Sequence, residues 1–193
     1  MPFFKKGKIA KYFYTGLIIL AVSFVFMFLV HKGFEIIHGS YRSIAVHDTI
    51  RYLRPEFDPI LGSSIAEDIQ IASNKTGLPP NLIIAVIWHE SRFNPVARSK
   101  ANAVGLMQVI EKYHKDTMKD LGITSDSLWY TSNNIMLGAT ILKNYIIQTG
   151  SIQGGLEKYL GKHGPKYYTN VLETYTNLSL ISILQQAEVK NVK

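Results

Sequence analysis

Residues 79–95 read PPNLIIAVIWHESRFNP, and the fold turns on what this stretch becomes. Seven consecutive apolar residues, Leu82–Trp88, fit a buried strand or a buried helix equally well by periodicity. Length and flanks decide for a helix: Pro80 and Asn81 suit a first turn, and Pro95 drives Asn94 out of the helical region. Being apolar on every side, this helix should lie at the centre of a core. It then ends on His89-Glu90-Ser91. Burial and the negative end of the helix dipole both disfavour an ionised carboxyl there, which suits a general acid that must hold its proton near neutral pH. The residues by themselves leave a second reading open, a half-exposed helix-end glutamate with no chemical role.

Outward from this helix the sequence keeps a helical period. Upstream, Ser63 or Ser64 can cap a helix that closes at Gly77. Downstream, Met107, Ile110, His114, Met118 and Leu121 recur at three and four and predict one helix ending at Gly122. Ile135, Ala139, Leu142 and Ile146 form another stripe, stopped near Gly150. Ser151 caps a short helix carrying Leu156, Tyr159 and Leu160, and Pro165 suits the first turn of a last one with Tyr168, Val171, Leu172 and Tyr175 inward. No alternating strand pair stands out, so the expected class is mostly α.

With 193 residues, 47% of them hydrophobic, the chain can bury one core and carry an appendage. The absence of cysteine excludes disulfides, thiolate metal sites and a cysteine nucleophile. The net charge of +7 is concentrated at Lys5, Lys6, Lys8 and Lys11, which supply more than half of it, so it does not describe a nucleic-acid footprint. These lysines precede YFYTGLIILAVSFVFMFLV, residues 12–30, nineteen residues without a charge. As a helix that segment is about 28 Å long, close to the ~30 Å hydrocarbon core, with aromatic Tyr12, Phe13 and Tyr14 at one edge. No small-residue cleavage site follows, so a retained single-pass anchor is favoured over a cleaved signal peptide. The basic residues 1–11 would then stay cytoplasmic, with everything after residue 30 on the periplasmic or outer face of the membrane. Residues 31–59 read as a stalk broken by Pro55 and Pro59, residues 60–184 as the folded domain, and 185–193 as a tail.

Several chemistries are missing. His89-Glu90 would open a zinc-protease motif only with a second histidine at position 93, which is Phe93. Neither a nucleophile elbow nor a phosphate-binding glycine loop is present. Four blocks do carry a pattern: ESRFNP at 90–95, ANAVGLMQ at 101–108, NIMLGATIL at 134–142, and LEKYLG at 156–161 followed by YYTNVL at 167–172. In order and spacing they resemble the catalytic domain of the lytic transglycosylases of the soluble (SLT) type, related to goose-type lysozyme, over residues 60–176.

That resemblance implies a lysozyme-like helical domain acting on peptidoglycan glycan strands, with no metal or cofactor. Glu90 would be the single acid/base, with Ser91 beside it helping to orient substrate. Gln108 would hydrogen-bond the glycan, Met107 would pack against it, and Tyr159 would line the cleft near the acid. Asn134 and Gly138 match a block whose role is architectural. The family's product is a 1,6-anhydro-muramyl end formed without water. The sequence departs from the family at three places. Lys158-Tyr159-Leu160-Gly161 stands where Ala-Tyr-Asn-x-Gly is usual, Asn102 where glycine is often found, and Glu111 where a proline is common. Leu160 in place of the amide keeps open a module that binds glycan without cleaving it, and a hydrolytic muramidase would differ only in product. Wall remodelling, a secretion or appendage machine, and phage entry or lysis all fit as settings.

Overall fold

Pro80 and Asn81 do begin a helix. In the computed structural model, which describes residues 6–161 and 165–191, the apolar run lies in a helix over Pro80–Ser91. The helices are α1 (Lys6–Leu53), α2 (Pro59–Thr76), α3 (Pro80–Ser91), α4 (Lys115–Asp120), α5 (Thr131–Thr149), α6 (Ile152–Leu160) and α7 (Pro165–Asn191). Short 3-10 turns cover Glu111–Tyr113 and Ser127–Trp129. Among the described residues extended pairing is confined to two isolated bridges, Arg98 with Val104 and Val104 with Val109. The mostly α class holds.

The chain divides into two units, residues 1–42 and 43–193. In the first, the described side chains of the apolar segment are exposed, Phe24, Met27 and Leu20 most of all. The expected span over 12–30 falls partly on residues 12–16, 18 and 19, whose side chains lie outside those described. Among the described residues no helix is long and apolar enough to cross a membrane.

The second unit is built around α3. Leu82 to Ile87 are all 0% exposed, as expected for an apolar helix with no solvent face. Each such aliphatic side chain contributes about 1.5–3 kcal/mol by leaving water. Helix α3 packs on α2 and α7, and α5 packs on α2 and α6. The expected stalk is helical as far as Leu53, and its last turns send Val46 and Ile50 into the same core. Helix α2 starts earlier than Ser63. The Asp58 carboxylate accepts from the Leu61 N–H at 2.7 Å and Pro59 fills the first turn, while the Ser63 hydroxyl donates to the Pro59 carbonyl inside the helix. The expected tail over 185–193 is helical to Asn191.

Helix α3 ends three residues before Asn94. Arg92 (φ 53°) and Phe93 (φ 60°) are both left-handed, which costs roughly 1–2 kcal/mol apiece for residues with a Cβ. Packing holds them there. Phe93 is fully buried with its ring 6.0 Å from that of Phe57, and the Arg92 guanidinium lies 4.0 Å from the Trp88 ring centroid. The Arg92 carbonyl also accepts from Arg54 at 2.8 Å. This turn carries the chain away directly after Glu90 and Ser91.

The helix expected over Met107–Leu121 does not form as one piece. Gln108 is left-handed (φ 48°), and Ile110 is extended. Only Lys115–Asp120 is α-helical. The Val104 and Val109 backbones exchange two hydrogen bonds, at 3.0 and 3.1 Å, and a side chain from α5 takes up the Met107 N–H. Apolar spacing at three and four survives this break because Met107 and Met118 reach the core from different segments.

Candidate active site

The loop after α3 is held from beneath by one buried amide. Asn134 on α5 is 1% exposed; its Oδ1 accepts from the Met107 N–H at 2.8 Å and its Nδ2 donates to the carbonyls of Val104 at 3.0 Å and Leu128 at 3.3 Å. Two glycines permit this approach. A Cβ on Gly105 (φ 76°) would overlap the Asn134 amide, and one on Gly138 would stand 2.6 Å from Met107 Sδ and 3.0 Å from Tyr159 Oη. Asn102 adopts the left-handed conformation (φ 63°) that glycine would otherwise serve, and its Oδ1 accepts from Arg98 at 3.1 Å.

Above this platform lies a groove of about 690 Å³, a size suited to a small-molecule or sugar ligand. Glu90, Gln108, Tyr159, Tyr145, His114 and Tyr167 line it, together with the apolar edge of Leu160. Glu90 is the only carboxyl among the described lining residues. Burial pushes its pKa up from the usual 4.5 to about 7, so near neutrality it can both hold and release a proton.

Two phenols flank the acid. Tyr159 donates to the Met107 carbonyl at 2.8 Å, and Tyr167 donates to the His89 carbonyl at 2.7 Å. Burial and then the Glu90 charge raise both phenols, Tyr159 well above its ordinary value and Tyr167 to about 12. Both therefore stay neutral and act as hydrogen-bonding walls. His89 turns toward α7, its Nε2 2.9 Å from the Thr174 hydroxyl, with burial lowering its pKa.

The residues expected at the site are thus only partly brought together. Glu90, Gln108 and Tyr159 share the groove. The Gln108 amide donates to the Gly105 and Ala97 carbonyls at 2.9 and 3.2 Å, which leaves its Oε1 for a ligand donor. Met107, expected against the glycan, is 0% exposed and belongs to the core, packed on Gly138 beneath the groove. Ser91 donates to the Ile87 carbonyl one turn back at 3.2 Å and does not line the groove. Sequence reasoning missed Tyr145 and His114, whose rings lie 6.3 Å apart, and Tyr167; Tyr168, expected inward, does pack against the core. The signal for Tyr167 was its place in the fourth block. Tyr145 sits one residue off the apolar stripe and carried none. Among the described residues no three His, Asp or Glu side chains are grouped to hold a metal ion.

The family model of the transglycosylase SLT domain matches residues 67–167, a span that holds Glu90, Gln108, Asn134 and Tyr159; the chain belongs to that family. Among individual proteins, it is 40% identical over 79 residues to the membrane-bound lytic murein transglycosylase C of Klebsiella pneumoniae (strain 342). That match covers 38% of this chain and 22% of the relative, so the chain spans well under two thirds of the relative's length. A solved structure of an inactive mutant of the lytic transglycosylase Slt from Pseudomonas aeruginosa aligns with a TM-score of 0.44 at 21% identity, over 66% of this chain and 27% of that one.

Proposed function

We propose that this protein is a membrane-anchored lytic transglycosylase that cleaves the bond between N-acetylmuramic acid and N-acetylglucosamine in peptidoglycan. One observation carries the reading: Glu90, the single carboxyl among the described residues of the groove, has its pKa raised by burial to about 7. Most glycosidases need two carboxyls, one to protonate the leaving oxygen and one to attack or activate water. A lone acid is sufficient when the substrate supplies the other two parts.

Protonated Glu90 gives its proton to the glycosidic oxygen as the bond to the muramyl C1 breaks. The oxygen of the sugar's own 2-acetamido group stabilises the cationic centre. The ionised Glu90 then takes the proton from the C6 hydroxyl as O6 bonds to C1, which closes the 1,6-anhydro ring and restores the acid. No water is consumed. Gln108 Oε1 offers an acceptor for a sugar hydroxyl or amide N–H, and the Tyr159 and Tyr167 rings provide apolar walls that keep Glu90 poorly solvated. The apolar residues 12–30 behind four lysines support an anchor with the domain on the outer face. Exposed Phe24, Met27 and Leu20 on α1 favour a bilayer around this helix over water.

The test is to incubate the full chain, in mild detergent, with purified peptidoglycan and identify the released ends by mass spectrometry. Anhydro-muramyl ends support the reading. Reducing ends make the protein a hydrolase, and no release from folded protein makes it a binding module. Protease added outside spheroplasts should digest residues 31–193; protection of the domain would overturn the topology.

A further inference from the structure

Lys158 and Lys100 bring two ammonium groups to a groove whose only carboxyl among the described lining residues is Glu90. They come from different elements, Lys158 from the last turn of α6 and Lys100 from the loop after α3. Neither forms an ion pair with a carboxylate among the described residues. Lys158 is nonetheless held in place. Its Nζ donates to Gln148 Oε1 and sits 4.8 Å from the centroid of the Tyr145 ring, itself part of the groove wall. An ammonium held over an aromatic face, with no carboxylate partner among the described residues, is a ready-made receptor for an anion. It stands directly before Tyr159 in α6. Next to it Leu160 presents an apolar edge where an amide is usual.

We propose that Lys158, supported by Lys100, is a specificity-determining site for a carboxylate on the muramyl residue. The inference rests on the muramyl-substrate reading above. Two sources supply that chemistry: the lactyl carboxylate of a glycan stripped of peptide, or a carboxylate of an attached stem peptide. In stripped glycan the lactyl group is free and charged; with a stem attached it is an amide and the charges lie further out along the peptide. A single ammonium beside Tyr145 can answer either.

The test compares the full chain with Lys158→Gln on four substrates: intact peptidoglycan, amidase-stripped glycan, and each of these with its carboxylates converted to neutral methylamides. The wild type should lose roughly two- to fivefold in kcat/KM when carboxylates are blocked, the range expected for one partly solvated charge pair. Lys158→Gln should show the same loss on charged substrate and be indifferent to blocking, and Lys158→Arg should restore the preference. A preference seen on stripped glycan assigns the lactyl carboxylate; one confined to peptide-bearing material assigns the stem. Equal dependence on free carboxylates in Lys158→Gln and wild type overturns the proposal. Activity of Lys158→Gln on blocked substrate at the wild-type level shows that it is folded. If wild type yields no anhydro ends, the reaction reading fails, and the carboxylate site is still tested by co-sedimentation of the Glu90→Gln chain with charged and blocked peptidoglycan. Equal binding to the two would overturn it independently.

Discussion

Replacing Glu90 by Gln should abolish turnover and at the same time make the protein more heat-stable in neutral and alkaline buffer. The carboxyl has its folded pKa raised from 4.5 to about 7, with burial as the cause. Below 4.5 the proton is held in both folded and unfolded states, and burial of the neutral acid carries no electrostatic penalty. As the pH rises, the unfolded chain ionises freely while the folded one must keep its proton, and above about 7 it must bury a charge. Wild-type stability from this group is therefore fully present below pH 4.5 and is lost as the pH rises from there through about 7. The difference between the two pKa values corresponds to about 3 kcal/mol. Glutamine is close in shape to the protonated acid and does not titrate, and Tyr159 and Tyr167, the phenols that feel the Glu90 charge, stay neutral in both proteins over this pH range. The gap between them isolates Glu90. For a domain of this size about 3 kcal/mol is roughly 6–12 °C in Tm. Thermal unfolding in mild detergent at pH 4.5, 6, 7 and 8 should show the variant gaining on wild type by that amount, most of it between pH 5 and 7. A gap that stays constant across this range would mean that Glu90 is not held as an unpaired buried acid, and the assignment of its role would go with it.

The pH dependence of the reaction follows from the same group: kcat/KM should be flat in mildly acidic buffer and fall about tenfold per pH unit above about 7, as the donor proton is lost. A rate that rises through pH 7 would contradict Glu90 as the acid. Asn134→Ala strands the Met107 N–H in the core and removes one of the two donors to the Val104 carbonyl, and should cost about 1–3 kcal/mol, read as a Tm loss of at least about 2 °C. Gly138→Ala drives a methyl group to 2.6 Å from Met107 Sδ, and should cost about 1–3 kcal/mol while displacing Tyr159 and lowering kcat/KM more than KM alone explains.

Much of the fold could be read from local signals because those signals act over a few residues. The Pro80-Asn81 start and Ser151 cap hold in the structure, as do the stops at Gly77 and Gly150, both left-handed at φ 73° and 72°. Each depends on backbone stereochemistry or a short-range hydrogen bond, and neither needs the rest of the molecule. Helix α2 starts earlier than the expected Ser63 or Ser64 because the Asp58 carboxylate and Pro59 form its first turn.

The sequence by itself determined a mostly helical chain with an all-apolar central helix ending in a carboxyl, because burial and periodicity are properties of composition along one segment. Tertiary structure alone decided what surrounds that carboxyl. The break at Gln108 comes from a distant amide, Asn134, capturing the Met107 N–H across 27 residues of sequence. The same contact moves Met107 from the expected groove wall into the core, while Ser91 turns back on its own helix. Tyr145, Lys158 and Tyr167 reach the groove only because α5, α6 and α7 converge on the end of α3. No local pattern encodes that convergence. It arises from the burial of many side chains at once, and it is what raises the Glu90 pKa from that of an ordinary surface glutamate to a value suited to proton transfer.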